Sequence, residues 1–157
     1  MKGITPFLWY DHQAEEAAKF YCSIFPNSKI VQTSRYGDTG PGPKGSVMVV
    51  RFELWGQPFL ALNGGPTFKL SEAVSFTVEC EDQKEVDLYW EKLSQGGEKS
   101  QCGWLKDKFG LSWQVSPTEL EALLTHPDPG RSQRAMKCML GMKKIDLAAI
   151  RAAADAG

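Results

Sequence analysis

The side chains best suited to acid–base or covalent chemistry are few and scattered along the chain. There are two histidines, His12 and His126, and four cysteines. No two cysteines have the CxxC spacing of a redox centre or zinc knuckle, and no histidine neighbours Cys102, the most plausible nucleophile. A general base at His12 would need burial or a carboxylate partner to tune its pKa. We therefore expect reduced, mostly buried thiols and surface histidines without a catalytic role.

Two charged residues lie just before the last predicted strand, which ends ahead of residue 117. Lys106 and Asp107 lie in the turn 106–110, which ends with Phe109 and Gly110. One interpretation is a surface ion pair between the two neighbours. The other is a charged rim that recruits an anionic ligand. Residue types alone leave both interpretations open.

Composition limits the classes of partner. The 157 residues are 42% hydrophobic and carry a net charge of −1, which is normal for a globular protein. This balance argues against nucleic-acid binding, which usually needs a concentrated basic surface. No apolar run approaches the roughly 20 residues that span a bilayer, and the N-terminus lacks the apolar region of a signal peptide. We predict a cytoplasmic protein with no nucleic-acid or membrane partner.

Hydrophobic periodicity predicts two successive modules with the same element order. In each module a strand is followed by a helix and then by further strands, the last module having a weaker strand near residues 98–104. The first module covers residues 1–66 and the second covers residues 73–116. Residues 117–157 show a helical pattern interrupted by Pro/Gly-rich breaks, which predicts a C-terminal helical extension to one compact domain.

Two ungapped offsets relate the modules to each other. Adding 70 takes Leu8 to Val78, and adding 54 takes Phe59 to Trp113. One module alone buries a single face of a small sheet, so two modules, in one chain or across a dimer, bury both and leave a concave surface. The alternative architecture is a ferredoxin-like α+β barrel dimer.

Four segments and a short tail carry a resemblance to a known family. They are FLWYD with QAEEAAKFY at 7–21, SIFPNS at 23–28, EAVSF with EVDLYW at 72–90, CGWLKDKFGLSWQV at 102–115, and MKKID at 142–146. These resemble the PhnB-like family, often labelled "3-demethylubiquinone-9 3-methyltransferase", of the vicinal-oxygen-chelate (glyoxalase/bleomycin resistance/dioxygenase) superfamily. The resemblance implies an α+β fold of paired βαβββ modules forming a curved mixed sheet with a cleft, plus C-terminal helices. It also implies a homodimer.

The resemblance implies metal-ligand positions that this chain fills poorly. Many members of the superfamily hold a divalent metal with His, Glu or Gln side chains from four strands. The matching positions here are Thr5, Leu60, Ser75 and Gln114. Leu60 cannot ligate a metal, and hydroxyls with one amide are weak ligands for a catalytic cation. A slip of one residue would bring in Glu79 or Glu53, neither with a histidine nearby. We predict no metal and no cofactor.

The resemblance also suggests which side chains face a ligand. The candidate ligand-binding residues are Thr5, Trp9, Ser75, Thr77, Trp104 and Gln114. Trp113 and Gln114 must point to opposite faces of one strand, so Gln114 faces inward and Trp113 packs beneath the helices. A buried Gln114 would need a partner, either Ser75 or a ligand. The remaining tryptophans, Trp9 and Trp104, form either an apolar wall or ordinary core and dimer contacts.

Three functions compete. The preferred one is a metal-independent binding protein for a small-molecule ligand, as in the bleomycin-resistance branch. The second is a metal-dependent lyase, isomerase or dioxygenase of the same superfamily, for which the sequence shows no ligand constellation. The third is a literal 3-demethylubiquinone-9 3-methyltransferase. The glycines at 37–45 lie between two strands with no helix after them, unlike the strand-to-helix turn that commonly binds S-adenosylmethionine.

Overall fold

Each half of the chain is built on one four-stranded sheet. The computed structural model describes residues 2–157, and the chain divides into two units between Leu70 and Ser71. The first unit contains β1 Phe7–Tyr10, α1 Ala14–Ile24, β2 Lys29–Arg35, β3 Val47–Leu54 and β4 Gln57–Asn63. The second contains β5 Ser75–Cys80, α2 Gln83–Ser94, β6 Glu98–Lys99, β7 Trp104–Lys106, β8 Ser112–Pro117, α3 Glu119–Leu124, α4 Pro129–Leu140 and α5 Leu147–Asp155.

The two sheets have the same strand order and the same strand directions. The orders are β1-β4-β3-β2 and β5-β8-β7-β6. In each sheet the first and last strands of the module pair in parallel, and the other strands pair antiparallel. The predicted α+β fold of two βαβββ modules with C-terminal helices is thus confirmed, with the strands divided between two mixed sheets.

Strand register confirms the internal repeat. Phe7 pairs with Leu60 between β1 and β4, and Thr77 pairs with Gln114 between β5 and β8. Adding 70 to the first residue and 54 to the second converts one pair into the other. Both sequence offsets therefore hold at the same place in the two sheets, which gives a residue-by-residue correspondence between them.

The N-terminal half of helix α1 packs on its sheet through small side chains, and larger side chains follow toward its C-terminus. Ala14, Ala17 and Ala18 are fully buried, and a face of small side chains lets a helix approach a sheet closely. Tyr21 then stacks on Phe52 of β3, with 6.2 Å between ring centroids. These contacts form the core of the first unit, on the side of the sheet that carries the even-numbered residues of β1.

The two central helices begin in different ways. Gln13 precedes α1 without a side-chain cap, and Asn63 from the end of β4 caps the helix instead. Its Oδ1 accepts a hydrogen bond from the Ala14 N–H at 2.8 Å. Helix α2 is capped locally, since Asp82 accepts from the Glu85 N–H at 2.9 Å and the Glu85 carboxylate accepts from the Glu81 N–H at 2.8 Å. The arrangement is a variant of the capping box, in which the Glu85 carboxylate reaches the N–H of the residue before the N-cap instead of the N–H of the N-cap itself.

Two boundaries in the first unit follow from backbone chemistry. Strand β1 begins at Phe7, because Pro6 has no N–H to donate to a neighbouring strand. Strands β3 and β4 are joined by a turn of two residues. Trp55 and Gly56 both have positive φ, 50° and 79°, as a two-residue type I′ hairpin requires.

Backbone hydrogen bonds join the C-terminal helical extension to the second βαβββ module. The N–H groups of Cys102 and Gly103 donate to the carbonyls of Met142 and Lys143 at 2.8 and 2.7 Å. Ile145 is fully buried, and its carbonyl accepts from the Gln83 side chain at 2.8 Å. Among residues 2–157, no helix combines the length and apolar character needed to cross a membrane.

Candidate functional site

The second sheet has one apolar face and one polar face. Helix α2 packs on the apolar face, which includes Val78, Trp113 and Val115. The opposite face, called the polar face below, carries Ser75, Thr77, Trp104, Lys106, Ser112 and Gln114. Strand register arranges these residues in two rows, Thr77–Gln114–Trp104 and Ser75–Ser112–Lys106. Four of the six predicted ligand-binding residues therefore share this surface.

Gln114 is held in place by a neighbouring hydroxyl. Its Nε2 donates a hydrogen bond to Ser75 Oγ at 3.0 Å, and Ser75 is one of the two partners that the sequence analysis considered. Within the described residues the other end of the amide makes no hydrogen bond to protein. The Ser75 contact fixes the orientation of the amide, so its free end can meet a ligand with little loss of side-chain entropy.

Of the two interpretations of Lys106 and Asp107, the ion pair between these two neighbours is wrong. Consecutive residues at the end of a strand point to opposite faces, so Asp107 points away from the polar face and is 3% exposed. Its carboxylate accepts hydrogen bonds from the N–H groups of Phe109 and Leu111 at 2.9 and 3.0 Å, and from the Trp113 indole at 2.9 Å. Asp107 holds the turn before β8. Trp113 packs on the helix side, as predicted.

Lys106 forms its ion pair with a residue that precedes the sheet. Its Nζ contacts the Glu72 carboxylate, and this hydrogen bond lowers the pKa of Glu72 and raises the pKa of Lys106. The pair lines a cavity of about 270 Å³ together with Trp104 and Ser112. The Ser112 hydroxyl is buried and, within residues 2–157, has no hydrogen-bond partner.

The matching face of the first sheet is mixed, with apolar residues at the two positions that carry Thr77 and Gln114 in the second sheet. Leu60 stands where Gln114 stands in the second sheet, and Phe7 stands where Thr77 stands. Arg51 continues that row on β3, beside Leu60. A cavity of about 260 Å³ on this face is lined by these residues with Gln32, Ser34 and Val49.

The two remaining predicted site residues, Thr5 and Trp9, belong to this first unit. Thr5 precedes β1 and is half-buried. The Trp9 indole donates to the Gly65 carbonyl at 2.9 Å, and its ring meets Phe68 edge-on at 5.0 Å between centroids. The polar atom of Trp9 is therefore used to hold the segment after β4.

The positions that the superfamily implies for a metal do not fit a divalent cation. Leu60 has no donor atom, and the other three positions offer only two hydroxyls and one amide, which are weak ligands for a catalytic divalent cation. Glu53 and Glu79 do not complete a site either. Across residues 2–157, no three His, Cys, Asp or Glu side chains come together in a way that could hold a metal ion.

The glycine-rich segment 37–45 does not fit the strand-to-helix turn that commonly receives S-adenosylmethionine. It connects β2 to β3, and the Gly45 N–H donates to the Tyr36 carbonyl at 2.8 Å to close the loop. The Tyr36 side chain packs against this loop, where a Cβ on Gly42 would come within 2.3 Å of the ring. The segment is a packed strand connection.

Sequence reasoning passed over two residues of this surface. Ser112 could have been found, because it lies two residues before Gln114 and strand alternation places both on one face. Glu72 had no such signal, since it lies in an irregular segment before β5 whose path depends on tertiary packing.

The two βαβββ modules and their strand orders define a protein of the vicinal-oxygen-chelate superfamily. The family model for 3-demethylubiquinone-9 3-methyltransferase matches residues 2–116. The chain belongs to this family, as the sequence resemblance indicated. No curated protein matches the chain.

Solved structures of similar proteins support the assignment. The PhnB protein from Bacillus cereus is 38% identical, with 74% of this chain and 100% of that chain covered and a TM-score of 0.68. Protein PA1353 from Pseudomonas aeruginosa is 18% identical, with coverages of 74% and 98% and a TM-score of 0.63. The fosfomycin resistance protein FosX from Listeria monocytogenes is 16% identical, with coverages of 76% and 93% and a TM-score of 0.55. The last two show the shared fold alone.

Proposed function

We propose that this chain is a small-molecule binding protein that holds its ligand on the polar face of the second sheet without a metal ion. The observation that carries the proposal is the row Thr77–Gln114–Trp104, in which Gln114 is oriented by Ser75. Binding sites for small molecules combine apolar surface with a few fixed polar groups. This row supplies both kinds of surface.

Each member of the row has a distinct task in the proposed site. The Trp104 ring offers a half-buried apolar surface on which a planar or aliphatic group can lie. The free end of the Gln114 amide offers one directed hydrogen bond. Thr77 is exposed and adds a hydroxyl at the open end of the row. None of these groups is a nucleophile activated by a neighbouring base, which favours binding over covalent chemistry.

The proposal can be tested by nuclear magnetic resonance on chelator-treated protein. A fragment set of small aromatic amides and acids is added to ¹⁵N-labelled protein. We expect some fragments to shift the signals of the Trp104 indole, the Gln114 side-chain amide and the Thr77 backbone. The proposal is contradicted if no fragment shifts these signals, or if fragments shift them only after Mn²⁺ or Zn²⁺ is added.

One substitution separates recognition from folding. Gln114→Leu installs the residue that the first sheet has at Leu60 and should weaken the best fragment about tenfold, the value of one directed hydrogen bond. The matched control is Gln32→Leu on β2, which should leave affinity unchanged. Saturable binding of S-adenosylmethionine by the wild-type protein would instead support the literal reading of the family description.

Two further predictions accompany this proposal. The family resemblance predicts a homodimer, and composition predicts a cytoplasmic location. Light scattering coupled to size-exclusion chromatography tests the first, and subcellular fractionation tests the second.

A further inference from the structure

Ser112 has a hydroxyl that the fold itself does not use. The residue is 1% exposed, and within residues 2–157 its Oγ is buried without a hydrogen-bond partner. A buried polar group without a partner is destabilising, so an unsatisfied group in a folded protein needs an explanation. Ser75, on one side of it in the sheet, already accepts a hydrogen bond from Gln114.

On its other side Ser112 pairs in register with Lys106. Residues opposite each other on antiparallel strands have Cβ atoms about 5 Å apart, so the two side chains start from the same part of the polar face. Both residues line the cavity of about 270 Å³ that also includes Trp104. A cation and a hydroxyl beside an indole ring form a suitable environment for an organic anion.

Glu72 already supplies an anion to this region. Its carboxylate contacts Lys106 Nζ, and the Glu72 side chain is 63% exposed against 33% for Lys106. Glu72 lies outside any strand or helix, so it can move away without breaking a sheet hydrogen bond. Exposed ion pairs of this kind contribute little to stability, so a ligand can replace the carboxylate at small cost.

Exchange of Glu72 for a ligand leaves the charge of the cavity unchanged. Glu72 and Glu98 line the cavity with Lys99 and Lys106, and the Lys99 ammonium also pairs with Glu91. A ligand carboxylate that takes the place of Glu72 therefore supplies the partner that Lys106 loses.

We propose that Lys106 and Ser112 form a subsite for the carboxylate of a small organic acid, and that Glu72 occupies it when no ligand is bound. The apolar part of that acid lies along Trp104, and the Ser112 hydroxyl donates to its carboxylate. The subsite rests on the proposed function, because it names the chemical class of the ligand that the polar face would bind.

Calorimetric titration with benzoate, and with benzamide as its neutral analogue, tests the subsite. We expect wild-type protein to prefer benzoate. Glu72→Gln should bind benzoate about two- to fivefold more tightly, the value of an exposed ion pair. Lys106→Met keeps most of the aliphatic stem and should lose at least about tenfold, the value of a charged hydrogen bond.

Two control variants match these changes. Lys99→Met removes a lysine of the same cavity that pairs with Glu91, and its effect on benzoate affinity should be smaller than that of Lys106→Met. Glu119→Gln removes a carboxylate that pairs with Arg151 in the C-terminal extension, and it should leave benzoate affinity unchanged.

The outcomes separate this inference from the proposed function. Equal affinity for benzoate and benzamide, unchanged by Glu72→Gln and Lys106→Met, overturns the carboxylate subsite and leaves small-molecule binding intact. Absence of benzoate binding to both wild-type and Glu72→Gln protein at millimolar concentration also overturns the subsite. The fragment experiment on chelator-treated protein judges the proposed function independently.

Discussion

The two sheets share a strand order and register but differ in the chemistry of the face away from the central helix. Where the first sheet has Phe7 beside Leu60, the second has Thr77 beside Gln114. On the helix side both sheets are apolar, as Leu8 and Val78 show. The apolar faces therefore maintain the common backbone, while the other faces are free to diverge. In the second unit that face carries the row of residues on which the proposed function rests.

Among the substitutions considered, the largest loss of stability is expected in the turn before β8 of the second unit. Asp107→Ala leaves two backbone N–H groups and the Trp113 indole without their acceptor. We expect a loss of about 3 kcal/mol in the free energy of unfolding, since each buried unsatisfied group costs about 1–3 kcal/mol. Urea denaturation followed by tryptophan fluorescence measures it.

The matched control for this turn is Asp38→Ala. Asp38 is exposed and pairs with Lys44 at the surface, so its removal should change the unfolding free energy by no more than about 0.5 kcal/mol. If Asp107→Ala costs no more than this control, then Asp107 does not hold the turn.

Helix capping should also distinguish the units. Asn63→Ala removes the cap of α1 and also the hydrogen bond from Asn63 Nδ2 to the Val47 carbonyl at 3.1 Å. Asp82→Ala removes only the local cap of α2. We expect losses of about 2 kcal/mol and about 1 kcal/mol, since an N-cap is worth roughly 0.5–2 kcal/mol. Thermal unfolding of both variants ranks them, and the reverse order would show that the long-range cap is unimportant.

Ser112→Ala should stabilise the protein. It removes a buried hydroxyl that has no partner in the described part of the chain, and relieving such a group is worth about 1 kcal/mol. The same change should weaken benzoate binding, so the free energy of unfolding should rise while the affinity for benzoate falls. Ser75→Ala is the control, because it breaks the Gln114 contact and should destabilise. Loss of stability in Ser112→Ala would mean that the hydroxyl has a structural role.

The smallest expected effect concerns the pH dependence of the Lys106–Glu72 pair. The pKa of Glu72 is lowered by its hydrogen bond to Lys106, so its contribution to stability is present above the ordinary glutamate pKa and is lost as pH falls through the lowered value. The pKa of Lys106 is raised, so its contribution is lost as pH rises through that value. A carbon-detected titration of Glu72 in wild-type and Lys106→Met protein checks the sign. An unchanged Glu72 pKa in the variant would contradict the pairing.

Much of the fold could be predicted because it depends on repeating patterns. Alternation along β8 assigned Trp113 and Gln114 to opposite faces, and the structure places them there. The site was less accessible to sequence reasoning. The partner of Lys106 could not be found from residue types, because the residue next to it in the sequence points to the opposite face of the strand. Glu72 depends on the path of an irregular segment, for which no periodic signal exists.

The hydrogen bonds between residues 102–103 and residues 142–143 link the polar face to a distant part of the sequence. The family model ends at residue 116, yet residues 142–143 hold the bend that leads into Trp104. The position of the indole therefore depends on residues outside the matched segment, and a substitution there is expected to move Trp104 while every residue of the polar face stays the same.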